Sequence, residues 1–222
     1  MSTVLVLGGS RGIGAALVAR HLDQGDRVIA TARDDAALAR LRAAGAEALP
    51  LDVADPQSVS ALAWRLDGEK LDIAWYVAGV MDRADAHTPP TREAFDRVMH
   101  TNVLGAMQVI PQVAPLVAAA RGRMAFLSSV MGRIADVSGS NAWLYRVSKA
   151  ALNMAVASAQ TAYPDAILVA VHPGWVQTDM GGAAAPLSVE QSAADLVALA
   201  GRLGPADRGA FLNHDGTRFE SW

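Results

Sequence analysis

The sequence contains no cysteine, and lysine occurs only twice among its 222 residues, at Lys70 and Lys149. The lack of cysteine excludes disulfides, thiolate metal sites and a thiol nucleophile, and it suits the reducing cytoplasm, where we expect the protein to be located. The formal net charge is −3, and no basic segment stands out, which argues against nucleic acid as a partner. No apolar run reaches about 18 residues, so we expect no membrane span.

Seven short apolar segments alternate with longer, helix-compatible segments along the chain. The first, TVLVL, follows no basic stretch, so we predict a strand there and not a signal peptide. The strands are predicted at 3–7, 27–32, 46–51, 71–77, 122–128, 166–172 and 209–214. The helices are predicted at 12–24, 34–44, 56–66, 92–119, 142–162 and 188–202.

The predicted strands are apolar without a break, which is typical of strands that are buried on both faces. Their alternation with helices favours a parallel sheet that is covered on both sides. Neither an internal repeat nor a linker rich in Gly, Ser or Pro divides the chain. The sequence therefore predicts an α/β fold, a single doubly wound Rossmann domain over residues 1–222 with about seven strands.

Four glycines follow the first predicted strand in the stretch LGGSRGIG, and three of them form a pattern. Gly8, Gly12 and Gly14 form the pattern G-x-x-x-G-x-G at the start of a helix. Glycine there lets phosphate approach main-chain N–H groups, and the helix dipole favours the anion. The same stretch also matches G-x-S-x-G, the nucleophile elbow of hydrolases, with His172 and His214 as histidines for a triad. That alternative is disfavoured because the elbow normally follows several strands.

The second predicted strand ends in ATARDD. In dinucleotide-binding folds, the residues at this strand end determine whether NAD or NADP is preferred. An NAD enzyme places an acid at this strand end for the ribose 2′-hydroxyl, but the expected position is Ala32, followed by Arg33. Arg11 in the glycine loop adds a second guanidinium, which suits a 2′-phosphate. Asp34 and Asp35 leave NAD open as the weaker alternative. Asp52, after the third strand, is placed to bond the adenine amine.

Tyr145 and Lys149 are four residues apart in YRVSK and therefore share one face of a predicted helix. A nearby ammonium favours the phenolate, so we predict that Lys149 lowers the pKa of Tyr145 and prepares it for acid–base chemistry. Ser128 and Ser129 end the fifth predicted strand, at the sheet edge where ligands bind. A hydroxyl there can hydrogen-bond a substrate carbonyl.

These motifs together resemble the short-chain dehydrogenase/reductase family over essentially the whole chain. They stand in the family's order: GGSRGIG at 8–14, LDV at 51–53, AG at 78–79, NVLG at 102–105, LSS at 127–129, YRVSK at 145–149 and HPGWVQTDM at 172–180. HPGWVQTDMGG and the ending FLNHDGTRFESW are most similar to C-factor and sniffer-like carbonyl reductases.

The resemblance implies a role for each matching residue. Tyr145 would be the general acid, Lys149 would lower its pKa and bind the nicotinamide ribose, and Ser129 would orient the carbonyl. Asn102 would hold a water in a proton relay toward Lys149, and no metal would take part. The implied cofactor-binding set is Gly8, Ser10, Arg11, Gly12, Ile13, Gly14, Arg33, Asp52, Val53, Ala78, Gly79, Lys149, Pro173, Gly174, Val176 and Thr178.

The chain departs from the family pattern at three places. Leu7 replaces the threonine before the first glycine, which removes a hydroxyl that fixes the loop. Tyr76 and Val77 replace two asparagines of the usual NNAG. The 16-residue step from Ser129 to Tyr145 is longer than usual, and we expect the extra residues to loop out beside the pocket, with Ser129 preferred over Ser138 and Ser140.

Three apolar side chains flank the expected site: Met131, Trp143 and Trp175. They indicate either an apolar substrate pocket or ordinary core packing. The resemblance implies hydride transfer between NADPH and a small carbonyl or alcohol. It also implies a homodimer or homotetramer, in which the small-residue side of the helix predicted at 142–162 would pack on a second subunit. That side could equally pack on the protein's own sheet. The alternative is a nucleotide-binding regulatory or signalling protein with little turnover.

Overall fold

The computed structural model describes residues 1–222, and its seven strands form one parallel sheet. The strands are β1 (Thr3–Leu7), β2 (Arg27–Ala32), β3 (Glu47–Pro50), β4 (Ile73–Tyr76), β5 (Arg123–Leu127), β6 (Ile167–His172) and β7 (Phe211–Asn213). They lie in the order β3-β2-β1-β4-β5-β6-β7. From β1 the chain adds β2 and β3 on one side and then adds β4 to β7 on the other, so the strand order reverses between β1 and β4. Open α/β sheets bind ligands at such a point, outside the carboxyl ends of the strands.

Eight α-helices connect the strands. They are α1 (Gly12–Asp23), α2 (Asp35–Ala43), α3 (Pro56–Ser60), α4 (Leu62–Arg65), α5 (Arg92–Met99), α6 (Gly105–Ala119), α7 (Trp143–Gln160) and α8 (Val189–Arg202). A 3₁₀ turn at Val130–Gly132 precedes α7, and another lies at Pro205–Asp207. Side-chain oxygens of Asp34, Thr91 and Ser188 cap the N-termini of α2, α5 and α8.

The helices cover both faces of the sheet, and the alternation of strand side chains shows which helix lies where. Val4 and Val6 of β1 belong to one core cluster, with side chains of α1, α2 and α8. Leu5 and Leu7 belong to the opposite cluster, with side chains of α4, α6 and α7. The predicted doubly wound Rossmann-type fold is therefore confirmed.

Two predicted helices differ in detail from the observed ones. The helix predicted at 56–66 is divided into α3 and α4 at Ala61, where the side chain of Gln112 accepts the Ala63 N–H at 3.0 Å. The helix predicted at 92–119 runs through, but it contains a π-helical turn at His100–Leu104. Such turns are frequent at functional sites.

The helical stretch Arg92–Ala119 is long and apolar enough to cross a membrane by length and composition only. Half of its most apolar part is buried inside the fold, and the core helix of a soluble protein passes the same test. On its own, this stretch is weak evidence for a membrane span.

Candidate active site

A cavity of about 450 Å³ lies at the carboxyl ends of the central strands, where the strand order reverses. Its lining contains fourteen of the residues that the sequence assigned to the cofactor or the reaction: Gly8, Ser10, Arg11, Gly12, Ile13, Arg33, Asp52, Val53, Ala78, Gly79, Tyr145, Lys149, Pro173 and Thr178. Five further predicted residues are not part of this lining: Gly14, Asn102, Ser129, Gly174 and Val176.

The glycine loop leaves β1 in a conformation that excludes side chains. Gly8 has φ +95°, and a Cβ there would lie 3.0 Å from the Ala78 nitrogen. A Cβ on Gly14 would overlap the Gly8 carbonyl oxygen. Helix α1 begins at Gly12, so its first N–H groups face the cavity end of the loop. This open cradle at a helix N-terminus fits a phosphate.

Thr31 of β2 fixes this loop, and the sequence analysis missed it. Its hydroxyl oxygen accepts the Gly8 N–H at 3.0 Å, and its carbonyl accepts the Gly9 N–H at 2.9 Å. The hydroxyl thus reaches the loop from the neighbouring strand, whereas Leu7 cannot supply one. Thr31 also lines the cavity. Only the pairing of β1 with β2 reveals this contact.

Replacing Thr31 with valine is expected to raise the Kd for NADPH about 3- to 10-fold, because the Gly8 N–H loses its partner while the side-chain shape is kept. Fluorescence titration measures this change. Thr31→Ser is the matched control, since it keeps the hydroxyl and should bind NADPH like the wild type. Equal affinities in the two variants would show that the hydroxyl does not hold the loop.

The end of β2 presents cations, and no free carboxylate, to the cavity. Ala32 and Arg33 line it, and Arg33 is exposed. The Asp34 carboxylate accepts the Ala37 N–H at 2.8 Å and is thereby used as the cap of α2. Across the cavity mouth, Arg11 forms a 3.0 Å ion pair with Asp179. Both partners are exposed, so this pair is weak and replaceable.

Tyr145 and Lys149 lie one turn apart near the start of α7, as predicted, and both are buried. The Lys149 ammonium donates to the Leu127 carbonyl at 2.6 Å and lies 5.5 Å from the centre of the Tyr145 ring. A Cβ on Gly79 would lie 3.6 Å from the ammonium nitrogen and 3.5 Å from Oδ1 of Asn102. Gly79 therefore keeps an approach to both polar groups open.

The predicted lowering of the Tyr145 pKa is corrected by the structure. Burial raises the pKa of Tyr145 to about 12, and a side-chain hydrogen bond with Ser129 opposes this rise only in part. Burial also lowers the pKa of Lys149 to about 8. Desolvation disfavours the charged form of each group, which the sequence argument from charge attraction did not include. At neutral pH the site therefore holds a neutral phenol beside a mostly protonated amine.

The two serines that directly follow β5 have different surroundings. The Ser128 hydroxyl is held by Oδ1 of Asn153 at 2.5 Å and so connects the strand to α7. Ser129 caps the 3₁₀ turn by accepting the Met131 N–H at 3.1 Å, and it also interacts with Tyr145. Ser138 and Ser140 lie exposed in the following loop. Of these serines, Ser128 lines the cavity, while Ser129 is the one whose hydroxyl lowers the pKa of Tyr145.

Asn102 sits in the π-helical turn and is fully buried. Its amide exchanges two 2.8 Å hydrogen bonds with the main chain of Val80 and donates to Ser148 Oγ at 2.9 Å. Ser148 in turn donates to the Tyr145 carbonyl at 2.7 Å. The Tyr76 hydroxyl donates to the Thr101 carbonyl at 2.7 Å, so this substituted position supports the same turn. Asn102 thus joins the loop after β4 to α7.

Comparison with known proteins identifies the family. The family model for short chain dehydrogenases matches residues 2–186. This chain belongs to the short-chain dehydrogenase family. It is therefore a member of an oxidoreductase family, as its motifs predicted.

Two relatives and two solved structures place this short-chain dehydrogenase more narrowly. A 1-hydroxy-2-glutathionyl-2-methyl-3-butene dehydrogenase of Rhodococcus sp. (strain AD45) is 35% identical, with 100% of each chain covered. The C-signal protein of Myxococcus xanthus is 38% identical over 64% of this chain and 82% of its own. The Drosophila melanogaster carbonyl reductase Sniffer superposes with a TM-score of 0.92 at 28% identity, with 100% of each chain covered. A Burkholderia multivorans short-chain dehydrogenase/reductase with bound NADP gives 0.87 at 33%, covering 100% of this chain and 99% of its own. The predicted similarity to C-factor and sniffer-like enzymes is confirmed.

The segment after β6 forms another wall of the cavity in this dehydrogenase. Pro173 and Thr178 line it, while Val176 is buried and pairs with Leu187. Gly174 has φ +85° and packs against Leu187 and the His214 ring. His214 is held by Asp195 of α8 at 2.8 Å. Gly174 and Val176 thus support this wall without lining the cavity, and their contacts with a cofactor stay a prediction.

His172, at the end of β6, makes the folded state sensitive to acid. Burial, followed by the nearby His214, lowers the pKa of His172 to about 4, and its Nδ1 has no hydrogen-bond partner. The unfolded chain binds this proton near pH 6.5, so stability is lost as the pH falls from 6.5 toward 4.

Unfolding in urea should show a loss of about 2 kcal/mol from His172 between pH 7.5 and pH 5. His172→Gln should remove this part of the pH dependence, while the separate contribution of buried His21, whose pKa is also lowered, remains. If wild type and variant lost the same free energy over this range, the assignment to His172 would be wrong.

The three residues predicted for an apolar substrate pocket do not form one pocket. Met131 and Trp143 line a second cavity of about 590 Å³ beside α7. Trp175 is 55% exposed, and its indole N–H donates to the Gly181 carbonyl at 2.8 Å, apart from both cavities. Directly before Trp175, Gly174 has a φ of +85°, a backbone conformation that the linear motif did not show.

Proposed function

We propose that this short-chain dehydrogenase interconverts a carbonyl compound and its alcohol with NADP(H), and that Tyr145 transfers the proton. The observation that carries the proposal is the neutral, buried phenol of Tyr145, next to Ser129, in the cavity lined by the glycine loop. The similarity to a carbonyl reductase, Sniffer, and to a dehydrogenase of a hydroxy compound supports the reaction class.

The residues present fit a nicotinamide dinucleotide. The glycine loop and the N-terminus of α1 would hold the pyrophosphate, Asp52 and Val53 would border the adenine, and Lys149 would bind the nicotinamide ribose. The segment from Pro173 to Thr178 would lie against the nicotinamide. When bound, NADPH supplies the hydride for the carbonyl carbon.

The side chains of the chain supply the rest of the reaction. The Ser129 hydroxyl orients the substrate carbonyl, and the Tyr145 phenol donates its proton to the carbonyl oxygen as the negative charge develops. Reduction thus adds hydride to carbon and a proton to oxygen, which leaves Tyr145 as a phenolate. The Lys149 ammonium stabilises this phenolate. Asn102 positions the main chain at Val80 and, through Ser148, the start of α7. A water beside Lys149 would return the proton to the phenolate.

The cofactor preference follows from the charges at the end of β2. Arg33 is exposed at the cavity, and Asp34 is occupied as a helix cap. Arg11 needs only to leave its exposed pair with Asp179 to reach a second phosphate. Guanidinium groups bind phosphate with two parallel hydrogen bonds, so we infer NADP as the cofactor, with NAD bound less tightly. The NADP-bound Burkholderia structure supports this inference.

Replacing Arg33 with serine should raise the Kd for NADPH roughly 10- to 100-fold and leave the Kd for NADH unchanged, because only NADPH carries the 2′-phosphate. Parallel fluorescence titrations with both cofactors measure this. Arg40→Ser, at an exposed position of α2, is the control for the lost charge. Equal loss of both cofactors would assign Arg33 a general role and would remove the argument for NADP.

The alternative function is a nucleotide-binding regulatory protein, and the observation that supports it is the similarity to the C-signal protein. The buried Tyr145, Lys149 and Ser129 argue for catalysis, since binding alone has no use for a proton donor beside a buried amine. NADPH binding without Tyr145-dependent turnover of any ketone, aldehyde or quinone would favour the regulatory alternative. A hydrolase is not supported, because no hydrogen bond joins Ser10 to a histidine.

We also infer that residues 1–222 act as one domain, since one sheet spans residues 3–213.

A further inference from the structure

The second cavity lies between the loop 131–140 and α7, with a volume of about 590 Å³. Four large apolar side chains line it and are also exposed to solvent: Ile134 (74%), Val137 (58%), Trp143 (40%) and Val147 (45%). Exposed apolar side chains that gather in one concave place mark a binding site for an apolar group. The first cavity, which the proposed cofactor occupies, does not explain this arrangement.

The residues that lengthen the step from Ser129 to Tyr145 build this cavity. They supply Ile134 and Val137 on one side, while Trp143, Arg146 and Val147 supply one face of α7 on the other. The 3₁₀ turn at 130–132 separates the two cavities. Its Gly132 packs against the main chain of α7, and a Cβ there would lie 2.8 Å from the Lys149 carbonyl carbon. The two cavities therefore share helix α7, with Tyr145 and Lys149 lining the first cavity and Trp143, Arg146, Val147 and Ala150 lining the second.

The charge of the second cavity is positive. Arg146 donates from Nε to the carbonyl oxygen of Asn141 and from Nη2 to its Oδ1, both at 2.9 Å, and these partners are neutral. The other guanidinium in the lining, Arg133, is paired with Asp136 and bonded to Ser221. No acidic residue lines the cavity. Arg146 is therefore a cation without an acidic partner at the edge of an apolar cavity, and its Nη1 is free to donate to an anion.

We propose that the second cavity binds the far end of the substrate, and that this end is an apolar chain carrying a carboxylate that pairs with Arg146. The proposal rests on the proposed function, since it makes the substrate an oxo acid whose carbonyl is reduced at Tyr145. Arg146 directly follows Tyr145, so their Cα atoms are about 3.8 Å apart. Because consecutive side chains of a helix point in different directions, the substrate would need a chain of several methylene groups to reach from the phenol to the guanidinium.

Direct binding tests the site without requiring turnover. Isothermal calorimetry with nonanoate is expected to show binding to the wild type and to Arg92→Gln, and a Kd about 10- to 100-fold higher for Arg146→Gln. Arg92 lies on α5, away from the cavity lining, and is the control for the same change in net charge. Equal affinities for wild type and Arg146→Gln, or no binding of nonanoate to the wild type, would overturn the proposal.

Kinetics with 8-oxononanoate and its methyl ester separate this proposal from the proposed function. For the acid, Arg146→Gln is expected to raise KM roughly 10- to 100-fold with little change in kcat, and for the ester KM should not change. An equal effect on acid and ester would overturn the proposal while turnover remains. If the wild type reduced neither compound in a Tyr145-dependent manner but still bound nonanoate through Arg146, the proposed function would fail and the anion site would stand.

Discussion

Replacing Tyr145 with phenylalanine is expected to lower kcat for carbonyl reduction by a factor of about 10³, within the range for general acid catalysis. The variant removes one buried hydroxyl and keeps the ring, so the cavity and its glycine loop should be unchanged. The Kd for NADPH should therefore stay within about twofold of the wild type. Stopped-flow turnover and fluorescence titration measure the two quantities separately.

Ser129→Ala is the companion variant. It removes the hydroxyl that acts on the pKa of Tyr145 and would orient the carbonyl, so we expect an intermediate loss of kcat. Ser128→Ala should instead lower stability, because Ser128 bonds Asn153 and not the phenol. Substantial turnover in Tyr145→Phe would mean that another group donates the proton, and the assignment of the general acid would be wrong.

Replacing Lys149 with methionine is expected to have the second large effect, on both kcat and cofactor binding. The ammonium is the buried cation beside the phenol, so its loss leaves the phenolate without compensation and removes a donor to the ribose. We expect kcat/KM to fall by a factor of about 10² or more and the Kd for NADPH to rise. Lys70→Met, at the exposed lysine, is the matched control and should behave like the wild type.

The pH profile provides a more specific test of Lys149. Its pKa is lowered to about 8 by burial, so the ammonium is present below pH 8 and is lost as the pH rises through that value. Reduction by the wild type should therefore decline above about pH 8, and the decline should be absent from the residual activity of Lys149→Met. An unchanged decline in the variant would assign the pH dependence to another group.

The fold could be predicted from the sequence because its strands are short, apolar and buried on both faces. The observed strands fall within the predicted ranges, and β1, for example, occupies the predicted residues 3–7. The positions of Tyr145 and Lys149 could also be predicted, because residues four apart on a helix share a face. The glycine pattern predicted the cradle, since φ +95° at Gly8 excludes a side chain.

Other features depend on contacts between segments that are far apart in the chain. Thr31 reaches Gly8 only because β1 and β2 pair, and Gln112 divides the helix at 56–66 only because α6 packs there. The sequence argument for Tyr145 counted the attraction of Lys149, but burial of both groups outweighs that attraction. The sequence argument grouped Trp175 with Met131 and Trp143, whereas only Met131 and Trp143 line the second cavity.

The scarcity of lysine has a practical consequence for labelling. An acylating or aldehyde reagent meets few amines on this chain, namely the N-terminus, exposed Lys70 and buried Lys149. Because burial lowers the pKa of Lys149 to about 8, a large share of this amine is uncharged and nucleophilic in mildly alkaline buffer. In Lys70→Met with a blocked N-terminus, a small aldehyde followed by borohydride would thus mark a single internal position. Protection of that position by added nucleotide would report occupancy of the cavity, independently of any substrate.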